Sequence, residues 1–208
     1  MDFREKTLAQ FLDETASSAP TPGGGGVSAY AAALGTALSD MVGSLTVGKK
    51  KYAEVEGEIL RLKEKAKALE EELLCLVSED AKAFAPLAAA YRLPKETEEE
   101  RQHKEEVMEE CLYAAAEVPL RIMEKCCKAI DLAEQFAEKG SRLALSDAGV
   151  SAALLGGALK GASLNVFINT AAMKNKEAAQ RLEDQANSML EAYVPRADAV
   201  FDVVKSEL

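Results

Sequence analysis

A chain of 208 residues suits a single domain of ordinary size, here a helical one over residues 1–208, and its 48% hydrophobic content is ample for a core. Aromatics are 5%, tryptophan is absent, and alanine, leucine, glutamate and lysine dominate, so an all-α protein is expected, a multihelical up-and-down bundle. The formal net charge of -10 argues against nucleic acid or an anionic membrane as main partner, because both call for a basic face.

In chain order, Met1 to Lys6 lack the apolar stretch of a signal peptide, which points to a cytosolic chain. Thr7-Leu8-Ala9-Gln10 is a capping box that predicts a short helix towards Ala16. Pro20 and Pro22 then stiffen the approach to Gly23, Gly24, Gly25 and Gly26, and a second helix is predicted from Val27 to near Gly48. It is apolar enough to raise the question of a membrane span, but Asp40 and its Ser, Thr and Gly residues make it a poor one. A long third segment runs from Tyr52 to Tyr91, with Pro86 a kink or break. Thr97 to Glu100 form another capping box, opening a helix that ends at Lys139-Gly140. The fifth helix covers about Ser146 to Met173 and the sixth about Asn175 to Leu208, with a bend at Pro195. Cys75, Cys111, Cys126 and Cys127 have no CxxC spacing and no histidine partner, so they read as buried thiols rather than disulfides or a zinc site.

Small residues recur at helical spacing in two helices, Ser28, Ala32, Gly35 and Ser39 in one and Gly149, Ala153, Gly156 and Gly157 in the other. Such faces let backbones approach closely, and a homodimer is expected from them.

The proline–glycine run before a helix start offers unpaired N–H groups and the positive end of a dipole to an anion; a flexible linker is the other reading. Asp80 falls on the apolar stripe Leu69, Leu73, Leu76, Ala83 and Leu87. Desolvation there would raise its pKa and suit it to proton transfer near neutrality, although a buried aspartate can equally bind a neighbouring helix end or a lysine. Asp147, Asn165 and Asn169 share one helical sector, yet Asp147 and Asn165 stand about 27 Å apart in an unbroken helix, too far for one small ligand. They would serve different ends of the bundle or sites in different subunits; capping by Asp147 and interhelical hydrogen bonding by the asparagines are the structural alternatives. Lys49, Lys50 and Lys51 form a dense positive cluster that either stabilises a helix end or captures an anionic tail. The single histidine, His103, sits in a charged run and is expected to be exposed. Chemistry, if any, would then use carboxylate and lysine.

Taken together, SSAPTPGGGG, GKKKY, Glu79-Asp80-Ala81-Lys82-Ala83-Phe84, Leu93-Pro94-Lys95, Ser146 to Val150 and Leu164 to Asn169 resemble, in order and over nearly the whole chain, the cyclodeaminase/cyclohydrolase family of tetrahydrofolate enzymes. The resemblance implies a helical homodimer, folate bound near the subunit interface, and no metal or organic cofactor. It implies Asp80 as the catalytic residue. Pro22 to Gly26, Lys49 and Lys50 match family motifs and are expected to contact pterin or a glutamate tail, single or polyglutamylated; Asp147, Asn165 and Asn169 are carried over as further substrate contacts. Gly26 stands where some relatives have serine. The implied reaction is hydrolysis of methenyltetrahydrofolate, with cyclodeamination of formiminotetrahydrofolate as the alternative and a non-catalytic folate- or partner-binding dimer as a third reading.

Overall fold

The structure, a computed structural model, describes residues 3–208; Met1 and Asp2, part of the N-terminal hexapeptide read above, lie outside the described residues. Six α-helices carry the fold, α1 (Leu8–Thr15), α2 (Gly24–Ser44), α3 (Glu56–Ala90), α4 (Glu98–Lys139), α5 (Leu145–Ala172) and α6 (Lys176–Glu207), with no strand among the described residues.

The helix starts that depend on neighbouring residues fall where the sequence places them. Thr7 accepts the Gln10 N–H and Gln10 returns a bond to the Thr7 backbone, and Thr97 and Glu100 repeat the arrangement at α4. Asn175 caps α6 by accepting the Ala178 N–H. Pro86, Pro119 and Pro195 all lie inside continuous helices, so none of them breaks the chain. Gly140 closes α4 with φ at -80°, not the left-handed turn of a typical glycine stop. It is required there because a Cβ would lie 2.4 Å from the Phe136 carbonyl oxygen and 2.5 Å from Val42 Cγ1.

α5 packs against α2, α4 and α6, while α3 lies on α2 and α4. Leu73, Leu76, Met123, Ile130, Phe136, Leu155 and Leu159 fill the space between them. The small residues of α2 meet α5 as a seam: a Cβ on Gly35 would lie 2.9 Å from Leu155 Cγ, and one on Gly161 would lie 2.6 Å from Ser28 Oγ. At the centre Ser151 Oγ donates to Gly35 O at 2.7 Å and lies 2.8 Å from Ser39 Oγ. Gly149 and Gly156 instead face α6, against Val204 and Ala197, and Gly157 has no atom within 4 Å. α5 is by length and composition apolar enough to cross a membrane, with half of that stretch buried in the protein. Cys126 and Cys127 are buried as expected, but Cys75 and Cys111 are only half-buried; all four are free thiols.

Candidate active site

α2 begins three residues earlier than its sequence suggests, so the glycines form its first turn rather than a loop before it. Gly23 is the N-cap and has no side chain to satisfy the opening N–H groups. Asp80, in the C-terminal third of α3, supplies the missing acceptor: its Oδ2 takes the Gly26 N–H at 2.9 Å. The anion expected at this helix start is therefore a side chain of the same protein.

Closeness, rather than unusual dihedrals, explains the glycines; only Gly48 has a positive φ among the described residues, at 78°. A Cβ on Gly25 would sit 2.6 Å from the Asp80 carboxyl carbon, and one on Gly24 would sit 3.1 Å from Asn165 Nδ2. Gly26 is roomier, with Val77 O at 3.4 Å and Asp80 Oδ2 at 3.7 Å from such an atom.

Around this contact lies a cavity of about 250 Å³, lined by Pro20, Thr21, Gly23, Gly24, Asp80, Phe84, Ala115, Asn165, Ile168 and Asn169. Asp80 is the single ionisable residue in that lining. Burial pushes its carboxyl above the ordinary carboxylate range, and the Gly26 N–H pulls it part of the way back. Asn169 Nδ2 donates to Ala115 O of α4 at 3.0 Å and to Asn165 O at 2.8 Å, while Asn165 Nδ2 donates to Gly161 O at 2.9 Å. Both amides are thus locked by backbone, as the structural alternative for them requires, and still line the cavity. Their Oδ1 atoms accept no hydrogen bond from the described residues, so they are free to accept one from a ligand.

Of the residues singled out from sequence, Gly23, Gly24, Asp80, Asn165 and Asn169 are brought together here, with Gly25 and Gly26 against the Asp80 carboxylate. Pro22 is buried beside Gly26. Lys49, Lys50 and Asp147 are at the other end of the helix pair. With 21 residues in α2, the lysines lie roughly 30 Å from the glycine turn. There Lys49 Nζ meets Ser141 Oγ at 3.1 Å, and Ser141 in turn donates its N–H to Thr46 Oγ1 at 2.8 Å. The Tyr52 hydroxyl accepts the Arg142 N–H at 3.1 Å, a bond that with Lys51 and Lys49 nearby lowers its pKa. Asp147 occupies the first turn of α5 without capping it. Phe84, Ala115 and Ile168 were not singled out. Phe84 follows Asp80 by one helical turn, a signal available in the sequence; Ala115 comes from the packing of α4 and has none.

A site of one desolvated carboxylate over bare backbone, walled by amides and apolar groups, is suited to moving a proton at a bound organic ligand. A profile of the formiminotransferase-cyclodeaminase family matches residues 7–188, and the chain belongs to that family. It is 39% identical to the methenyltetrahydrofolate cyclohydrolase of Methylorubrum extorquens over 98% of both chains. It is 34% identical to the rat formimidoyltransferase-cyclodeaminase over 90% of this chain, but only 35% of that longer protein. The crystal structure of formiminotetrahydrofolate cyclodeaminase from Thermotoga maritima superposes with a TM-score of 0.82, at 26% identity, covering 97% of this chain and 98% of that one.

Proposed function

We propose that this protein acts on one-carbon derivatives of tetrahydrofolate and that its reaction is the hydrolysis of 5,10-methenyltetrahydrofolate to 10-formyltetrahydrofolate, with Asp80 as acid and base. The observation that carries the proposal is the lone ionisable group of the cavity, a carboxylate raised by burial and seated on the Gly24–Gly26 turn. The full-length match to a cyclohydrolase supports the choice of reaction.

The methenyl carbon carries a positive charge shared between N5 and N10, so ionised Asp80 is complementary to it in a desolvated pocket. Water adds to that carbon and gives a proton to Asp80. The C–N5 bond of the tetrahedral intermediate then breaks, N5 takes the proton back from Asp80, and the hydroxyl proton leaves to solvent as the formyl group forms. The two asparagine oxygens are acceptors for N–H groups of the reduced ring, and Phe84 with Ile168 gives the ring apolar walls. The steps need no metal or organic cofactor.

A second reading is favoured by the neighbouring cyclodeaminase structure, which matches end to end. N10 would attack a formimino carbon and ammonia would leave, again with one acid/base group. Incubating the purified protein with methenyl- and formiminotetrahydrofolate in parallel separates the two. Loss of methenyl absorbance without ammonia supports hydrolysis, gain of absorbance with ammonia supports cyclodeamination, and turnover of neither overturns both.

A further inference from the structure

Of the seven threonines in the chain, six spend their hydroxyls inside the protein. Thr7 and Thr97 cap helices, and Thr15, Thr36, Thr46 and Thr170 each donate to a backbone carbonyl about one turn earlier. Thr21 is the exception: its Oγ1 has no hydrogen-bond partner among the described residues, and it is the one hydroxyl in the lining of the Asp80 cavity. Fully buried side-chain polar atoms all have partners among the described residues, so the Thr21 oxygen is one with open surface. The residue is nevertheless held in place. Pro20 before it is exposed, Pro22 after it is buried, and a residue that precedes proline is kept extended, so Thr21 crosses from surface to core at the rim of the cavity with little backbone freedom.

The other polar side chains of the cavity are largely committed. Asn169 gives both amide hydrogens to Ala115 O and Asn165 O, Asn165 gives one to Gly161 O, and Asp80 Oδ2 accepts the Gly26 N–H. What these three offer a ligand is chiefly oxygen acceptors, whereas a hydroxyl both accepts and donates. A reaction that turns a water oxygen into a formyl oxygen needs both in succession, because that oxygen arrives with two protons to give up and ends as an acceptor with none. A sphere of about 250 Å³ is about 8 Å across. One water with a hydrogen bond of about 2.8 Å on each side spans most of that width, so it can touch Asp80 and Thr21 together.

We propose that Thr21 is a second catalytic residue of the hydrolysis, the hydroxyl that holds the attacking water against Asp80 and then the oxygen which that water becomes; the proposal rests on the folate reading above. The water gives one proton to Asp80 and points the other at Thr21 Oγ1, which turns an oxygen lone pair towards the methenyl carbon. The C–O bond forms, the C–N5 bond breaks, and N5 takes the proton back from Asp80. The remaining O–H proton then passes to Thr21 Oγ1 as the proton that Thr21 carried leaves to solvent on the exposed Pro20 side. Thr21 ends with one proton, as it began, and its O–H donates to the new formyl oxygen.

The tests use the full chain with methenyltetrahydrofolate. Thr21→Val keeps the branched shape and removes the hydroxyl, and Thr21→Ser keeps the hydroxyl and removes the methyl group. Thr21→Val should lower kcat about 10- to 100-fold with KM within about twofold, and its melting temperature should equal that of the wild type, because the hydroxyl holds nothing in the protein. Thr21→Ser should stay within about threefold of the wild type in kcat. The acid limb of the pH profile, set by Asp80, should not move in Thr21→Val. A Thr21→Val turnover within about twofold of the wild type overturns the proposal, and so does an equal loss in Thr21→Ser, which makes the methyl group the reason. A raised KM or a lowered melting temperature that accounts for the loss gives Thr21 a role in shaping the loop and overturns it as well. A wild type inert on methenyltetrahydrofolate overturns the hydrolysis reading and this proposal with it, whereas a wild type that hydrolyses and a Thr21→Val chain that equals it overturn this proposal alone.

Discussion

A carboxylate that accepts an N–H from a helix 54 residues earlier in the chain is doing a structural job, and in this protein the same carboxylate is the one ionisable group of a cavity. The two roles pull against each other. Burial raises the Asp80 pKa, so between the ordinary aspartate value and the raised one the folded chain binds more protons than the unfolded chain, and stability falls as pH rises through that window. Asp80→Asn keeps an acceptor for Gly26 and removes the charge. It should melt above the wild type at neutral pH, converge with it in acid below the ordinary carboxylate range, and lose about 10²- to 10⁴-fold in turnover; calorimetry across pH beside a folate assay reads both. Wild-type activity should fall on the acid side at a higher pH than an ordinary aspartate would give. Gly25→Ala forces an atom against the Asp80 carboxyl and should cost about 1–3 kcal/mol together with most of the activity. Gly57→Ala, at an exposed helical position with nothing within 4 Å, should instead gain about 0.5–1 kcal/mol in urea unfolding and leave turnover unchanged.

Between elements, the α2/α5 seam fixes how the cavity is built, because Gly24 and Asn165 face each other only while the helices stay in contact. Ser151 is fully buried and holds both Gly35 O and Ser39 Oγ. Ser151→Ala should cost about 1–2 kcal/mol by chemical denaturation, with a smaller effect on the α4/α6 side, where Arg196 is clamped by Asp131 and Glu134. Helix boundaries were legible wherever the cap is local, as at Thr7 and Thr97. The start of α2 was not, because its cap comes from Asp80 on another helix and Gly23 gives no side-chain signal. Gly140 misled in a related way: it marks the end of α4 correctly, but its reason is the nearness of the Phe136 carbonyl and of Val42 rather than a left-handed turn.

On the scale of the whole molecule, the residues singled out from sequence divide between two ends of one helix pair. Asp80, Asn165 and Asn169 converge; Lys49, Lys50 and Asp147 stand apart by the length of α2, so the lysine cluster and Asp80, expected from sequence to serve one site, do not meet within a single chain.

The sequence by itself determined the all-α class, the local caps, the apolar stripe of α3 and, through ordered motifs, the family, because these depend on propensity, periodicity and residues a few positions apart. It also pointed to Asp80 as a carboxylate on an apolar stripe. Only the tertiary structure decided that Asp80 lands on the Gly24–Gly26 turn, that both asparagines spend their N–H groups on backbone, and that the lysines lie at the opposite pole. Those facts come from the crossing of α2, α3 and α5, where side chains distant in sequence meet at close range, and no local pattern records such a meeting.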